Sequence, residues 1–160
     1  MLVVADSSPL IALINIAHVD ILPALFGTVV IPPQVAREMA HATRPQVVRD
    51  FASSRPTWLV EQAPATIEPI IGLHAGEMAA ISLARELNAD FLLIDEIVGR
   101  RAATDRHLAI TGTIGVLELA ANKGLLDLGN SFTALKHTDF WISHKLLDER
   151  LRLFQARHSS

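Results

Sequence analysis

Residues 91–96 read Phe-Leu-Leu-Ile-Asp-Glu, four consecutive apolar side chains that stop at two acids. A strand with one wet face would alternate apolar and polar residues, so an uninterrupted run of this kind reads as a strand buried on both faces. Residues 2–6, Leu-Val-Val-Ala-Asp, repeat the pattern near the N-terminus, with β-branched residues at the centre and an acid at the end. Ser7, Ser8 and Pro9 then supply cap chemistry and a proline for the first helical turn, so this strand feeds directly into a helix. After Glu96 the chain likewise enters a helix, which reaches about His107.

Working outward, the same alternation recurs. A helix through Leu10, Leu13 and Ile16 is followed by a short one from about Asp20 to Phe26 and the breaker Gly27. Val29, Val30 and Ile31 make a strand, and Pro32 and Pro33 open a helix from Gln34 to about His41. Residues 41–56 are polar and predict a loop with one helical turn around Val47 to Phe51, before a short strand at Trp58, Leu59 and Val60. Apolar positions Ala80, Ile81, Ala84 and Leu87 recur at helical spacing, giving a helix from His74 to Leu87 that Asn88 caps. Leu108 to Thr111 is a further strand. Gly112 and Thr113 open a helix that Lys123 and Gly124 close, and one or two amphipathic helices follow over residues 130–156, with frayed residues at the end.

Strands alternating with helices predict an α/β protein: a three-layer α/β/α arrangement with a central parallel sheet. No repeat or long linker divides the 160 residues, so they read as one domain, 1–160, with a core of about 1–125 and C-terminal helices. In parallel sheets ligands sit beyond the carboxyl ends of the strands. Asp6 and Asp95 both occupy that position and are expected on the same edge of the sheet.

Composition narrows the chemistry. The chain has no cysteine, which excludes disulfides, zinc-thiolate sites and cysteine nucleophiles and favours the cytoplasm over an oxidising compartment. No apolar stretch approaches the roughly 20 residues that span a bilayer, so no membrane role is expected. The formal net charge of −3 argues against binding nucleic acid by bulk electrostatics, and tyrosine is absent, leaving few stacking platforms. Any nucleic-acid role must rest on a localised site.

Two carboxylates at neighbouring strand ends repel each other unless a cation lies between them. Oxygen-only ligation without Cys or a paired-His spacing suits Mg²⁺ or Mn²⁺ and not zinc. Each acid alone has a plainer reading: Asp6 and Glu96 as helix-start residues, Glu77 as a capping residue in the first turns of its helix, Glu38 as a solvated helix residue. Ser7 and Thr113 are readable both as caps and as donors to a carboxylate or phosphate, and His74 reads as a loop residue.

Taken in order, VADSSPLIAL, IPPQVAREM, GEMAAISLA, LLIDE, GRRAA and ITGTIGVLELAANKG resemble the PIN-domain nucleases, including a prokaryotic subgroup related to VapC toxins. The resemblance runs from about Leu2 to Leu125. It implies an acidic quartet, Asp6, Glu38, Glu77 and Asp95, as the catalytic set, with Asp6, Glu77 and Asp95 ligating Mg²⁺ or Mn²⁺ and Ser7, Arg100 and Thr113 near the substrate. Glu77 stands where many members have aspartate, and Leu93 where many have threonine. The implied activity is metal-dependent cleavage of RNA by the toxin of a toxin-antitoxin pair, with a small antitoxin as partner; the high aliphatic content and the apolar C-terminal helices separately lead us to expect a homodimer. A catalytically silent PIN-like binding module is the alternative. A phosphotransfer reading with Asp6 as nucleophile is disfavoured because Ser8 stands where a second Asp is needed.

Overall fold

Val3 to Ala5 and Val29 to Ile31 are buried at every position, although successive side chains of a strand point to opposite faces. Both faces of the sheet are therefore covered. The structure, a computed structural model, describes residues 1–159. The strands β1 (Val3–Ala5), β2 (Val29–Ile31), β3 (Leu59–Glu61), β4 (Phe91–Leu93) and β5 (Ile110–Thr111) form one sheet in the order β3-β2-β1-β4-β5. Every pairing is parallel, with Val4 opposite Val30 on one side and Leu92 on the other.

The helices between them are α1 (Ser7–Asn15), α2 (Ile21–Phe26), α3 (Pro33–Ala40), α4 (Gln46–Ser53), α5 (Ala75–Glu86) and α6 (Ile97–Asp105). From β1 the chain steps outward through β2 to β3, then crosses to the other side of β1 for β4 and β5. Because such crossovers are right-handed, this reversal sends the two sets of helices to opposite faces. Ala80, Ile81, Leu83 and Ala84 of α5 and Ala102 and Ala103 of α6 pack with Val4, Val30 and Leu92 on one face. The three-layer α/β/α reading holds, and the reversal lies between β1 and β4, the two strands that end in Asp6 and Asp95.

Residues 41–56 depart from the expected loop: α4 gives them two turns of helix. Pro45 precedes the helix in extended conformation, Gln46 donates to Asp50 one turn on at 2.6 Å, and Arg49 donates to Gln46 at 2.8 Å. Val48 is fully buried and Phe51 lies against Trp58 at 6.1 Å between ring centroids, so Val48, Phe51 and Ala52 at helical spacing give α4 a short apolar face within a polar stretch. Asn88 and Gly124 do adopt the left-handed backbone of helix-ending residues, at φ 51° and 72°.

The chain divides into two compact units, Met1–Thr113 and Ile114–Ser160. The second carries most of α7 (Thr113–Asn122), with α8 (Leu128–Lys136) and α9 (His144–His158). Asp127 and Ser143 cap α8 and α9 through Asn130 and Leu146 backbone N–H groups. Glu118 of α7 is buried and accepts from Arg150 of α9 at 2.6 Å. α9 continues to His158, past the residue 156 expected as its end, and the His158 ring stacks on Phe154 one turn back at 4.1 Å; the last residue expected to fray, Ser160, lies outside the described residues. Among the described residues no helix is long and apolar enough to cross a membrane.

Candidate metal centre

The first unit alone contains the acidic site. Asp6 leaves β1 on the last rung of the sheet, its N–H donating to Leu93 O at 2.9 Å, and stands at the N-cap position of α1. Its side chain makes no capping bond, so the plainer reading of Asp6 as a cap is not realised. Instead Oδ1 is buried without any hydrogen-bond partner. A cavity of about 280 Å³ opens here, lined by the carboxylates Asp6, Glu38, Glu77 and Glu96 together with Ser7, Arg44 and His74.

Glu77 divides its two oxygens. Oε1 accepts from the His74 N–H at 3.1 Å, a capping bond at the start of α5, whereas Oε2 is buried and unpartnered. Glu38 comes from α3 and is held by Ser7, whose hydroxyl donates to Oε2 at 2.5 Å. Asp95 is buried beyond β4 and does not line the cavity; Thr113 donates to it twice, N–H to Oδ1 and hydroxyl to Oδ2, each at 2.7 Å.

Burial raises the Asp6 carboxyl from 3.8 to about 7; the Ser7 N–H opposes this, while the charges of Glu38, Glu77 and Asp95 reinforce it. Asp6 is thus within electrostatic reach of the other three acids. Burial also raises Asp95, against the Thr113 donors and Arg100, and raises Glu77, which the neighbouring Glu96 pushes further. Glu96 goes the other way: burial pulls it up, but the N–H groups of Gly99 and Val98 and its pairing with the Glu77 side chain hold it low. Asp6 and Glu77 raised in one crevice, with Asp95 raised beside it, amount to a stored demand for positive charge.

Arg100, expected at the substrate, folds back to donate to Ile94 O at 2.9 Å beside Asp95. Glu96 caps α6 through the Gly99 N–H at 2.8 Å, as a helix-start acid would. His74 is exposed at the mouth of the cavity, at the N-cap of α5. Arg44 was not foreseen. It lies half-buried in the lining with Nε donating to Glu38 O at 3.1 Å, between α3 and α4, where no sequence pattern says what it faces.

An oxygen-only donor set with two buried, unpartnered carboxylate oxygens fits a hard divalent cation. Among the described residues, however, no three His, Asp or Glu side chains already stand close enough together to hold an ion. Ser7 orients Glu38 through Oε2 and Thr113 orients Asp95 through both oxygens, while Asp6 Oδ1 and Glu77 Oε2 are buried and have no hydrogen-bond partner.

A parallel sheet whose topological reversal gathers buried acids defines the class: an α/β protein with an acidic strand-end site. A family model described as a PIN domain matches residues 2–156, across both compact units, and the chain belongs to that family. No curated protein and no solved structure gives a match. PIN domains are generally nucleases, which makes a nuclease-type activity the general expectation for this fold.

Proposed function

We propose that the protein is a metal-dependent endoribonuclease acting through the Asp6, Glu38, Glu77 and Asp95 site, and that it is the toxin of a toxin-antitoxin pair. The observation that carries the nuclease reading is the pair of orphaned oxygens, Asp6 Oδ1 and Glu77 Oε2, in a crevice of acids raised above their ordinary range. The toxin role, with its small antitoxin, is supported by the resemblance of the motifs alone. A homodimer is consistent with Trp141, Leu146 and Leu153 lying exposed in the C-terminal unit.

Asp6, Glu77 and Asp95 would hold Mg²⁺ or Mn²⁺. When bound, the ion supplies Lewis-acid stabilisation of the charge that builds on a phosphodiester under attack, and lowers the pKa of water. The chain's own residues set the geometry. Ser7 orients Glu38 through Oε2, Thr113 orients both oxygens of Asp95, and the Arg100 guanidinium beside Asp95 favours its charged form. Ser7, Arg100 and Thr113 thereby act on the substrate side by holding the acids that face it.

Calorimetric titration of Mn²⁺ into the wild type and Asp6→Asn, with cleavage of a mixed RNA substrate in the presence and absence of chelator, tests this directly. Binding that the substitution abolishes, together with chelator-sensitive cleavage, is the expected result. Binding that is absent, or indifferent to Asp6→Asn, would leave a PIN-domain scaffold used for protein binding.

A further inference from the structure

Three glycines touch the acidic site, and backbone conformation explains none of them. Gly76, Gly99 and Gly112 all lie outside the left-handed region that Gly27, Gly72 and Gly124 occupy. Gly76 and Gly99 are also inside helices, where glycine is an unfavourable choice. What distinguishes them is space. A Cβ at Gly76 would lie 2.0 Å from Glu38 Oε1, 2.7 Å from its Cδ and 3.0 Å from Oε2. A Cβ at Gly112 would lie 2.5 Å from Asp95 Oδ1 and 2.9 Å from Arg100 Nη1, and one at Gly99 2.7 Å from Ile94 Cδ1 and 3.0 Å from Glu77 Oε2, a seat that the Ile94 side chain shares. Gly27 and Gly124, by contrast, have nothing within 4 Å of that position and owe their glycine to a positive φ.

We propose that Gly76, Gly99 and Gly112 are positioning residues, each forming the seat of one carboxylate: Glu38 on Gly76, Glu77 on Gly99 and Asp95 on Gly112. The inference rests on the acidic crevice being the ion-binding site. The seats sit on separate parts of the chain, in α5, in α6 and in the turn after β5, so no single local turn requires all three. Gly76 is the clearest case because the only atoms in its way belong to the end of a flexible side chain from another helix. Removing its hydrogen in favour of a methyl group leaves the backbone room to stay but drives the Glu38 carboxylate off α5 and away from Ser7.

The test is Gly76→Ala, compared with Glu38→Gln and with the double variant, by Mn²⁺ calorimetry, thermal melting and crystallography. Alanine is the better helix former, so the melting temperature should match or exceed that of the wild type. Mn²⁺ affinity should nonetheless fall by about 10- to 100-fold, the range seen when a supporting contact to a ligand is lost. Adding Glu38→Gln should cost little more, since both changes act through one carboxylate. Wild-type affinity in Gly76→Ala, or losses that simply add in the double variant, would overturn the inference. Should Gly76→Ala fail to fold, recovery of folding on adding Glu38→Ala upholds the seat, and continued unfolding overturns it. If the wild type itself binds no Mn²⁺, the ion-binding reading has failed, and the crystal structure of Gly76→Ala decides alone. Glu38 displaced and its Ser7 bond broken upholds the seat; Glu38 in place with α5 shifted overturns it.

Discussion

Thr113 donates to both carboxylate oxygens of Asp95, its N–H to Oδ1 and its hydroxyl to Oδ2, and Thr113 itself is fully buried. The backbone bond survives substitution and the hydroxyl bond does not. Thr113→Val should therefore leave Oδ2 buried without a partner and cost about 1–3 kcal/mol of stability. Thr113→Ser, which keeps the hydroxyl, should stay close to the wild type. Denaturant unfolding of the two variants separates them, and a Thr113→Val protein as stable as Thr113→Ser would show that the hydroxyl does not hold Asp95.

Asp6 and Asp95 are legible from the sequence because a buried parallel strand announces itself as an unbroken apolar run, and its last residue is fixed at the sheet edge. Glu38 and Glu77 are not legible that way. Each lies on a helix whose pattern says nothing about what its acid faces, and only the resemblance to a family points to them. Thr113, which donates both bonds to Asp95, stands 18 residues away, and the Glu38 seat at Gly76 is farther still, so both are products of tertiary packing. Arg44 escapes for a related reason: it lies between α3 and α4, and only tertiary packing brings it to the cavity, whereas α4 does carry an apolar face but over just two turns.

Asp6 makes the metal-free protein sensitive to pH in a direction opposite to most carboxylates. Its folded value of about 7 exceeds its ordinary 3.8, so between these values the folded state holds a proton that the unfolded chain has released. Stability then falls as pH rises through that window, and the raised Glu77 and Asp95 act with the same sign. In chelator, the melting temperature should drop from pH 5 to pH 8. Asp6→Asn should flatten the slope and melt higher than the wild type at pH 8. A wild-type curve that climbs over this range would remove the basis for treating the crevice as charge-starved.

Glu118 in the C-terminal unit is a buried acid of a different kind, accepting from Arg150 at 2.6 Å with Arg157 at 3.6 Å. Removing the cation strands a buried carboxylate, whereas replacing the carboxylate with an apolar side chain leaves a half-exposed guanidinium that water can satisfy. Arg150→Ala should thus cost more than Glu118→Leu, by about 1–3 kcal/mol in denaturant unfolding. Equal costs would mean that Arg157 takes over the carboxylate once Arg150 is gone.

Arg44 is the cation on the wall of the acidic cavity. Its Nε is committed to Glu38 O at 3.1 Å, and its own carbonyl is anchored by Arg49 Nε at 3.0 Å, so the side chain is fixed at its base. Among the described residues its terminal nitrogens enter no ion pair, even with four carboxylates lining the same cavity. A guanidinium anchored by Nε presents two parallel donors in the geometry that matches two oxygens of a phosphate. Once an ion has neutralised the acids, an RNA phosphate is the natural acceptor. Arg44→Gln should leave Mn²⁺ affinity at the wild-type level or tighter, because a positive charge has left the neighbourhood of the cation. The same substitution should raise KM for RNA by about tenfold, the equivalent of roughly 1.4 kcal/mol in substrate binding, with a smaller change in kcat. An unchanged KM would assign Arg44 to the packing of α3 on α4, and a lost Mn²⁺ affinity would mean that it holds Glu38 in place.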